Sequence, residues 1–304
     1  MAGMSSKIFI HIGLPKTATT TLQKEVFPAL ANKSLCYMGV VQPREGSQQE
    51  HLYSKVYEAV KSGNGLQEAR NGLISKANSG MSVVLSEEMF TVSSGGTAWR
   101  EKLKNLATLL NGLDYVLIVT VREPAAALFS YYVELHEEFS HSRKTFLELA
   151  KTDESLEIFH YGKLSDALLQ HFGRDRIFIQ TFEDIVNGRL ETLSRLLSNG
   201  KQGWRASDLK KHNDKRQTNE LVYVGRKFTL ADIPKRLVRA MGVGDSPLAT
   251  QLKRRLRPVM RAMDNVTCAK KTIRKPSEHE FIELRSFLRE ETAALERHFG
   301  IKYE

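Results

Sequence analysis

Residues 7–23 run Lys7-Ile8-Phe9-Ile10-His11-Ile12-Gly13-Leu14-Pro15-Lys16-Thr17-Ala18-Thr19-Thr20-Thr21-Leu22-Gln23, and this stretch restricts the fold more than any other. Its first half is apolar and β-branched, long enough for a strand buried on both faces. Gly13 and Pro15 stop that strand, and a helix is predicted over 19–30, with threonines at its start able to cap exposed N–H groups. A strand that turns tightly into a helix start aims several N–H groups and a positive dipole end at one spot. That spot suits a phosphate, and Lys16 adds a mobile positive charge to it. A Walker A loop would place the Lys later and a Gly where Ala18 stands, so this is not an ordinary ATP or GTP loop.

The rest of the chain supplies partners for the first strand. Apolar runs at 34–41, 81–86, 114–121 and 176–181 read as strands. Helical periodicity lies between them, at 48–61, 65–76, 98–110, 125–138, 144–150, 155–172 and 188–198. Strands alternating with helices imply an α/β fold of P-loop type: three αβα layers around a parallel sheet of four to five strands. Residues 201–218 read as a polar, basic loop. Beyond them the chain is predicted helical to Glu304, with Leu248, Leu252, Leu256, Val259, Met260 and Met263 forming one apolar stripe that belongs to a core. The expected organisation is a core over 1–220 and a helical extension packed on it over 221–304.

Composition narrows the function. No run of ~18 apolar residues is present to span a membrane, and Met1 to Ser6 carry no apolar leader region. Cys36 and Cys268 stand far apart with no Cys/His cluster, which argues for a reducing, cytoplasmic setting and against a structural zinc. The formal charge of +10 is concentrated: residues 201–275 hold 20 Lys and Arg against six Asp and Glu. Such an excess attracts a polyanion, be it a charged nucleotide, an acidic glycan or an anionic lipid surface. Few aromatics interleave with the charges and no nucleic-acid motif appears, so nucleic acid ranks last. The oligomeric state is not legible.

A second motif lies at the end of the 114–121 strand: Arg122-Glu123-Pro124, followed eight residues after the Arg by Ser130 and then Tyr131. In α/β proteins the carboxyl end of a strand is where ligand-binding groups sit. There Arg122 can offer a fork of donors and Ser130 a single one to one anion.

Taken with K-T-x-T-T-T at 16–21, this resembles the sulfotransferases that use 3′-phosphoadenosine 5′-phosphosulfate (PAPS), whose loops read K-[ST]-G-T-T and R-[DE]-P with a following Ser. The resemblance covers roughly residues 7–220 and is closer to bacterial and carbohydrate sulfotransferases than to those acting on phenols and steroids. It implies that Lys16, Thr17, Ala18, Thr19, Thr20 and Thr21 hold the 5′-phosphosulfate, through the N–H groups of 17–21 and the Thr20 and Thr21 hydroxyls. Arg122 and Ser130 would hold the 3′-phosphate. Ala18 replaces the family's Gly, at little cost if φ there is negative. Ala127 stands where many members have a second Arg, and the basic 201–218 loop is the expected replacement, with Asn213 and Arg216 carried over from the family's nucleotide-covering loop.

On this reading Lys16 neutralises the leaving oxygen, PAPS is the co-substrate, adenosine 3′,5′-bisphosphate (PAP) the product, and no metal is needed. The acceptor hydroxyl requires a base. Alternation along the 81–86 strand favours Glu88 over Glu87, with His51 and, behind it, His136 as rivals. The acceptor is a glycan, a lipid-linked sugar or another alcohol, and an acidic one would suit the basic excess. Two other readings stay open: an atypical P-loop kinase using ATP and Mg²⁺, and a nucleotide- or polyanion-binding module without activity.

Overall fold

The structure, a computed structural model, describes residues 6–32, 34–40, 51–139, 142, 144–198, 221–229 and 267–303. Asn213, Arg216 and the 248–263 stripe lie outside the described residues. The chain divides into two compact units, one of residues 1–132, 143–214 and 277–304, the other of 133–142 and 215–276.

The first unit is built on five parallel strands: β1 (Ile8–Gly13), β2 (Leu35–Tyr37), β3 (Ser82–Ser86), β4 (Tyr115–Val121) and β5 (Ile177–Thr181), in the order β2-β3-β1-β4-β5. β1 is central, with His11 level with Ser86 of β3 and Ile118 of β4, and all six of its residues are buried. That explains its unbroken apolar run: a parallel strand covered on both faces has no polar side. The strand order reverses beside β1, and in such sheets the ligand crevice opens at that point, outside the carboxyl ends.

Helix α1, residues 19–30, follows the first loop. It is α-helical over Thr19–Thr21, π-helical over Leu22–Val26 and α-helical again over Phe27–Leu30. The wide turn lies just ahead of Pro28, whose ring and missing N–H disfavour a regular turn there. Three threonines and a proline make poor helix formers, each threonine costing a few tenths of a kcal/mol. Burial of Leu22, Val26, Phe27 and Leu30 against Phe9, Val84 and Ile118 outweighs this, at roughly 1.5–3 kcal/mol per side chain. The helices α8 (Phe182–Val186) and α9 (Glu191–Leu197) add Ile185, Leu193 and Leu197 to the same layer.

The helices α2 (His51–Ser62), α3 (Leu66–Asn78), α4 (Trp99–Leu110) and α7 (Tyr161–His171) bury Val56, Leu73, Leu103, Leu106 and Leu168. α5 (Pro124–Phe139) and α6 (Phe146–Thr152) lie between β4 and α7 in the chain. The α/β class and the parallel five-stranded sheet agree with the sequence reading.

The stretch from 221 onward departs from it. Leu221–Thr229 (β6) and Thr267–Arg274 (β7) form an antiparallel pair in the second unit, where helix alone was expected. Only the end of the chain is helical among the described residues of this stretch: α10 (Glu278–Phe287), opened by a Ser277–Glu280 capping box, and α11 (Arg289–Phe299), both in the first unit. Leu221-Val222-Tyr223-Val224 does carry β-branched and aromatic residues, but its partner strand lies some 40 residues on, beyond the reach of local patterning. Among the described residues no helix is long and apolar enough to cross a membrane.

Candidate functional site

The loop after β1 is held by the neighbouring strand, with Leu14 N–H donating to Thr120 O at 3.3 Å. A Cβ on Gly13 would come within 2.1 Å of Thr19 Oγ1, so only glycine lets α1 start this close to the strand. Lys16 and Ala18 both have positive φ, 67° and 64°. The condition under which Ala18 would cost little, a negative φ, is not met: this is a left-handed position, where alanine costs about 1 kcal/mol and glycine does not. Ala18 departs from the family's Gly at a position whose geometry calls for Gly.

The threonine caps are corrected too. Ala18 is the capping residue and receives no side-chain bond, while Thr17 and Thr19 turn inward and are buried. Among the described residues the N–H groups of Thr17, Ala18, Thr19 and Thr20 meet no acceptor, whereas Thr21 N–H is spent on Ala18 O at 3.0 Å. N–H groups left open in this way, in a loop with two left-handed residues at a helix start, are suited to an anion. Thr19 Oγ1 is buried with no partner among the described residues, and Thr20 and Thr21 are half-buried. Replacing Ala18→Gly is expected to stabilise the protein by about 0.5–1 kcal/mol, a Tm rise of about 1–3 °C by calorimetry. A fall in Tm would mean that the left-handed turn is not kept.

The Arg-Glu-Pro motif divides its labour. Glu123 closes the start of α5, its carboxylate accepting from Ala125 and Ala126 N–H at 3.2 and 2.7 Å, and Pro124 occupies the first turn where its missing N–H costs nothing. Arg122 is left to point at the loop: Nη1 donates to Lys16 O at 3.3 Å, and the guanidinium lies 4.2 Å over the Phe182 ring. Its main chain is clamped by Tyr161, whose hydroxyl accepts from Arg122 N–H and donates to Arg122 O. Burial pushes the Arg122 pKa down, and Glu183 and Glu123 pull it back. No carboxylate lies within salt-bridge distance of it among the described residues, so most of its five donors await an acceptor. Around it, Glu183 accepts from Glu123 N–H at 3.2 Å and from Tyr303 Oη at 3.3 Å.

Beyond β3 the two glutamates part company. Glu87 is fully buried, accepting from the Tyr53 hydroxyl and from Met89 N–H at 2.8 Å. Glu88 is half-buried and opens a short 3₁₀ turn, Glu88–Thr91. The Thr91 hydroxyl lies between two carbonyls, Glu88 O at 2.8 Å and Gly13 O at 3.1 Å, and so joins that turn to β1. Buried Lys102 of α4 secures the following loop through Met89 O, Val92 O and Ser94 Oγ at 3.2, 2.6 and 2.8 Å.

Sequence reasoning missed the polar chain beneath the loop. His11 is completely buried, with Nδ1 2.7 Å from Ser86 Oγ, Nε2 3.3 Å from Thr120 Oγ1 and its ring edge-on to Phe27. Gln23 Nε2 donates to Ser86 Oγ at 3.1 Å, and Thr17 Oγ1 lies 2.7 Å from Thr120 Oγ1. Burial lowers the His11 pKa to about 3. Nothing in an apolar strand marks its histidine as bonded on both sides. Phe182 could have been found, since it follows a parallel strand directly.

The remaining candidates are not gathered here. His51 lines a cleft with Lys55, Glu68, Lys76 and Met81, to which no residue of 13–21 and not Arg122 contributes. Ser130 is half-buried on α5 and makes no hydrogen bond to Arg122, and His136 lies farther along in the stretch assigned to the second unit.

No family model matches this chain, and no curated protein matches it. Among solved structures, a sulfotransferase from Alicyclobacillus acidocaldarius is similar at 13% identity and a TM-score of 0.45, over 97% of this chain and 96% of that one. A structure from the PezAT chromosomal toxin–antitoxin system of Streptococcus pneumoniae is similar at 15% identity and a TM-score of 0.28, over 69% of this chain and 78% of that one. Likenesses this distant leave the chemistry to be read from the residues themselves.

Proposed function

We propose that the protein is a PAPS-dependent sulfotransferase acting on an acceptor hydroxyl. One observation carries the reading: Arg122, stacked on Phe182, bonds to the carbonyl of Lys16, which brings a cation against a loop whose N–H groups from Thr17 to Thr20 meet no acceptor among the described residues. A nucleotide with phosphate groups at two positions can use both.

In this mechanism the N–H groups of Thr17 to Thr20 hold the 5′-phosphosulfate. The acceptor oxygen attacks sulfur in line, the bond from sulfur to the 5′-phosphate oxygen breaks, and Lys16 neutralises the charge that builds on that oxygen. The acceptor proton passes to a carboxylate. Glu88 is proposed for this, because it is half-buried at the start of the turn that follows β3, at the carboxyl end of the sheet, whereas Glu87 is fully buried. Glu88→Gln is then expected to lower turnover ~10²-fold with PAP affinity nearly unchanged. Glu87→Gln should chiefly lower Tm. The reverse pattern would move the base to Glu87. The acceptor is proposed to be a glycan or lipid-linked sugar carrying negative charge, to match the basic excess of residues 201–275.

Titration calorimetry with PAP, ATP and GDP, with and without Mg²⁺, tests the assignment. Binding of PAP without metal, tighter than ATP, is the expected result. ATP binding that requires Mg²⁺ would favour the kinase reading, and no binding of any of them would defeat both.

A further inference from the structure

The polar chain beneath the loop has a direction that can be worked out atom by atom. Thr17 has one hydroxyl proton, and it is committed to Leu14 O at 2.6 Å, because a carbonyl can only accept. The 2.7 Å contact between Thr17 and Thr120 must therefore be donated by Thr120. Thr120 then has no proton for His11, so His11 Nε2 carries hydrogen and donates to it. A neutral imidazole with Nε2–H accepts at Nδ1, so Ser86 donates there. Ser86 in turn accepts from Gln23, whose amide orientation is set by its approach to Ser86 O, an obligate acceptor. One ordered path results: Gln23 to Ser86 to His11 to Thr120 to Thr17 to the carbonyl of Leu14.

We infer that His11 is a positioning residue that, acting through Thr120 and Thr17, holds the anion-binding loop in its left-handed form. The path links three strands and α1 to the loop: Gln23 in α1, Ser86 at the end of β3, His11 in β1, Thr120 in β4 two residues before Arg122, and Thr17 between the two positive-φ residues. Every member is buried, so each bond polarises the next and none is shared with water. Reversing one link leaves a proton facing a proton elsewhere, so the chain has a single satisfied arrangement. That gives the loop a fixed backing for the strain at Lys16 and Ala18. Lowered basicity of His11 supports this, since an imidazolium would have to donate at both ends.

The part of this inference that concerns ligand affinity rests on the proposed function, and the test separates the two. Imidazole ¹⁵N shifts of the whole protein should show the Nε2–H tautomer of His11, unchanged between pH 5 and 8. Ser86→Ala, three hydrogen bonds away from Thr17, should move the amide resonances of Thr17 and Ala18 and weaken PAP binding about tenfold. His11→Gln, which keeps an acceptor and a donor in the same order, should bind PAP more tightly than His11→Leu. An Nδ1–H tautomer, or loop amides in Ser86→Ala that coincide with the parent's, overturns the inference. So does a Ser86→Ala variant that loses Tm but binds PAP as the parent does. If the parent binds no PAP, the proposed function fails, and the tautomer and loop amides still decide this inference.

Discussion

Acidification from pH 6.5 to 3.5 should remove about 4 kcal/mol of folding stability through His11 alone. In the folded protein the imidazole stays neutral down to about pH 3, because it is wholly buried and both nitrogens are committed. In the unfolded chain it takes a proton at about pH 6.5. Across that window the unfolded state holds one proton more, so stability rises with pH and falls on acidification by about 1.4 kcal/mol per unit. Above about pH 7.5 neither state is protonated and the effect vanishes. Carboxylates held below their usual range, such as Glu157 beside Lys163 and Arg100, act in the same direction. The diagnostic quantity is therefore the difference between parent and His11→Gln in urea unfolding at pH 4 and pH 7. The variant should show a shallower acid slope. Equal slopes would mean that His11 is not held neutral in the fold.

Arg122→Ala should weaken PAP binding by roughly 30- to 1000-fold, about 2–4 kcal/mol. Two losses combine. The charge-assisted fork to a phosphate disappears, and the hydrogen bond to Lys16 O that draws loop and strand end together goes with it. Arg122→Lys should recover little, because an ammonium lacks both the planar face that lies over Phe182 and the fork that serves two acceptors. Titration calorimetry at fixed ionic strength measures this directly. Unchanged affinity in Arg122→Ala would remove this residue, and the motif with it, from the site.

The two motifs were legible because each rests on local chemistry. An apolar β-branched run ended by Gly13 can be recognised without knowing its neighbours, and so can Arg122-Glu123-Pro124 with its acidic cap and its proline in the first helical turn. Strands alternating with helices led by the same route to the parallel sheet. The glutamates after β3 were half legible. Alternation along the strand pointed to Glu88 over Glu87, whereas the bond between Glu87 and Tyr53 is set only by packing.

The amino-acid sequence by itself determined the α/β class, the alternation of strands and helices up to residue 198 and the placing of both motifs at strand ends, since these follow from periodicity and turn chemistry over a few residues. Tertiary structure decided what those residues do. The positive φ at Lys16 and Ala18 arises where loop, β4 and α1 converge, and no local rule would place an alanine there. The pairing of Leu221–Thr229 with Thr267–Arg274 is a long-range choice that local pattern cannot express. The role of His11 depends on hydroxyls 75 and 109 positions away in the chain. A buried hydrogen-bond path is defined by which donors and acceptors fill one another's valences in space, and that is set only once the strands lie side by side.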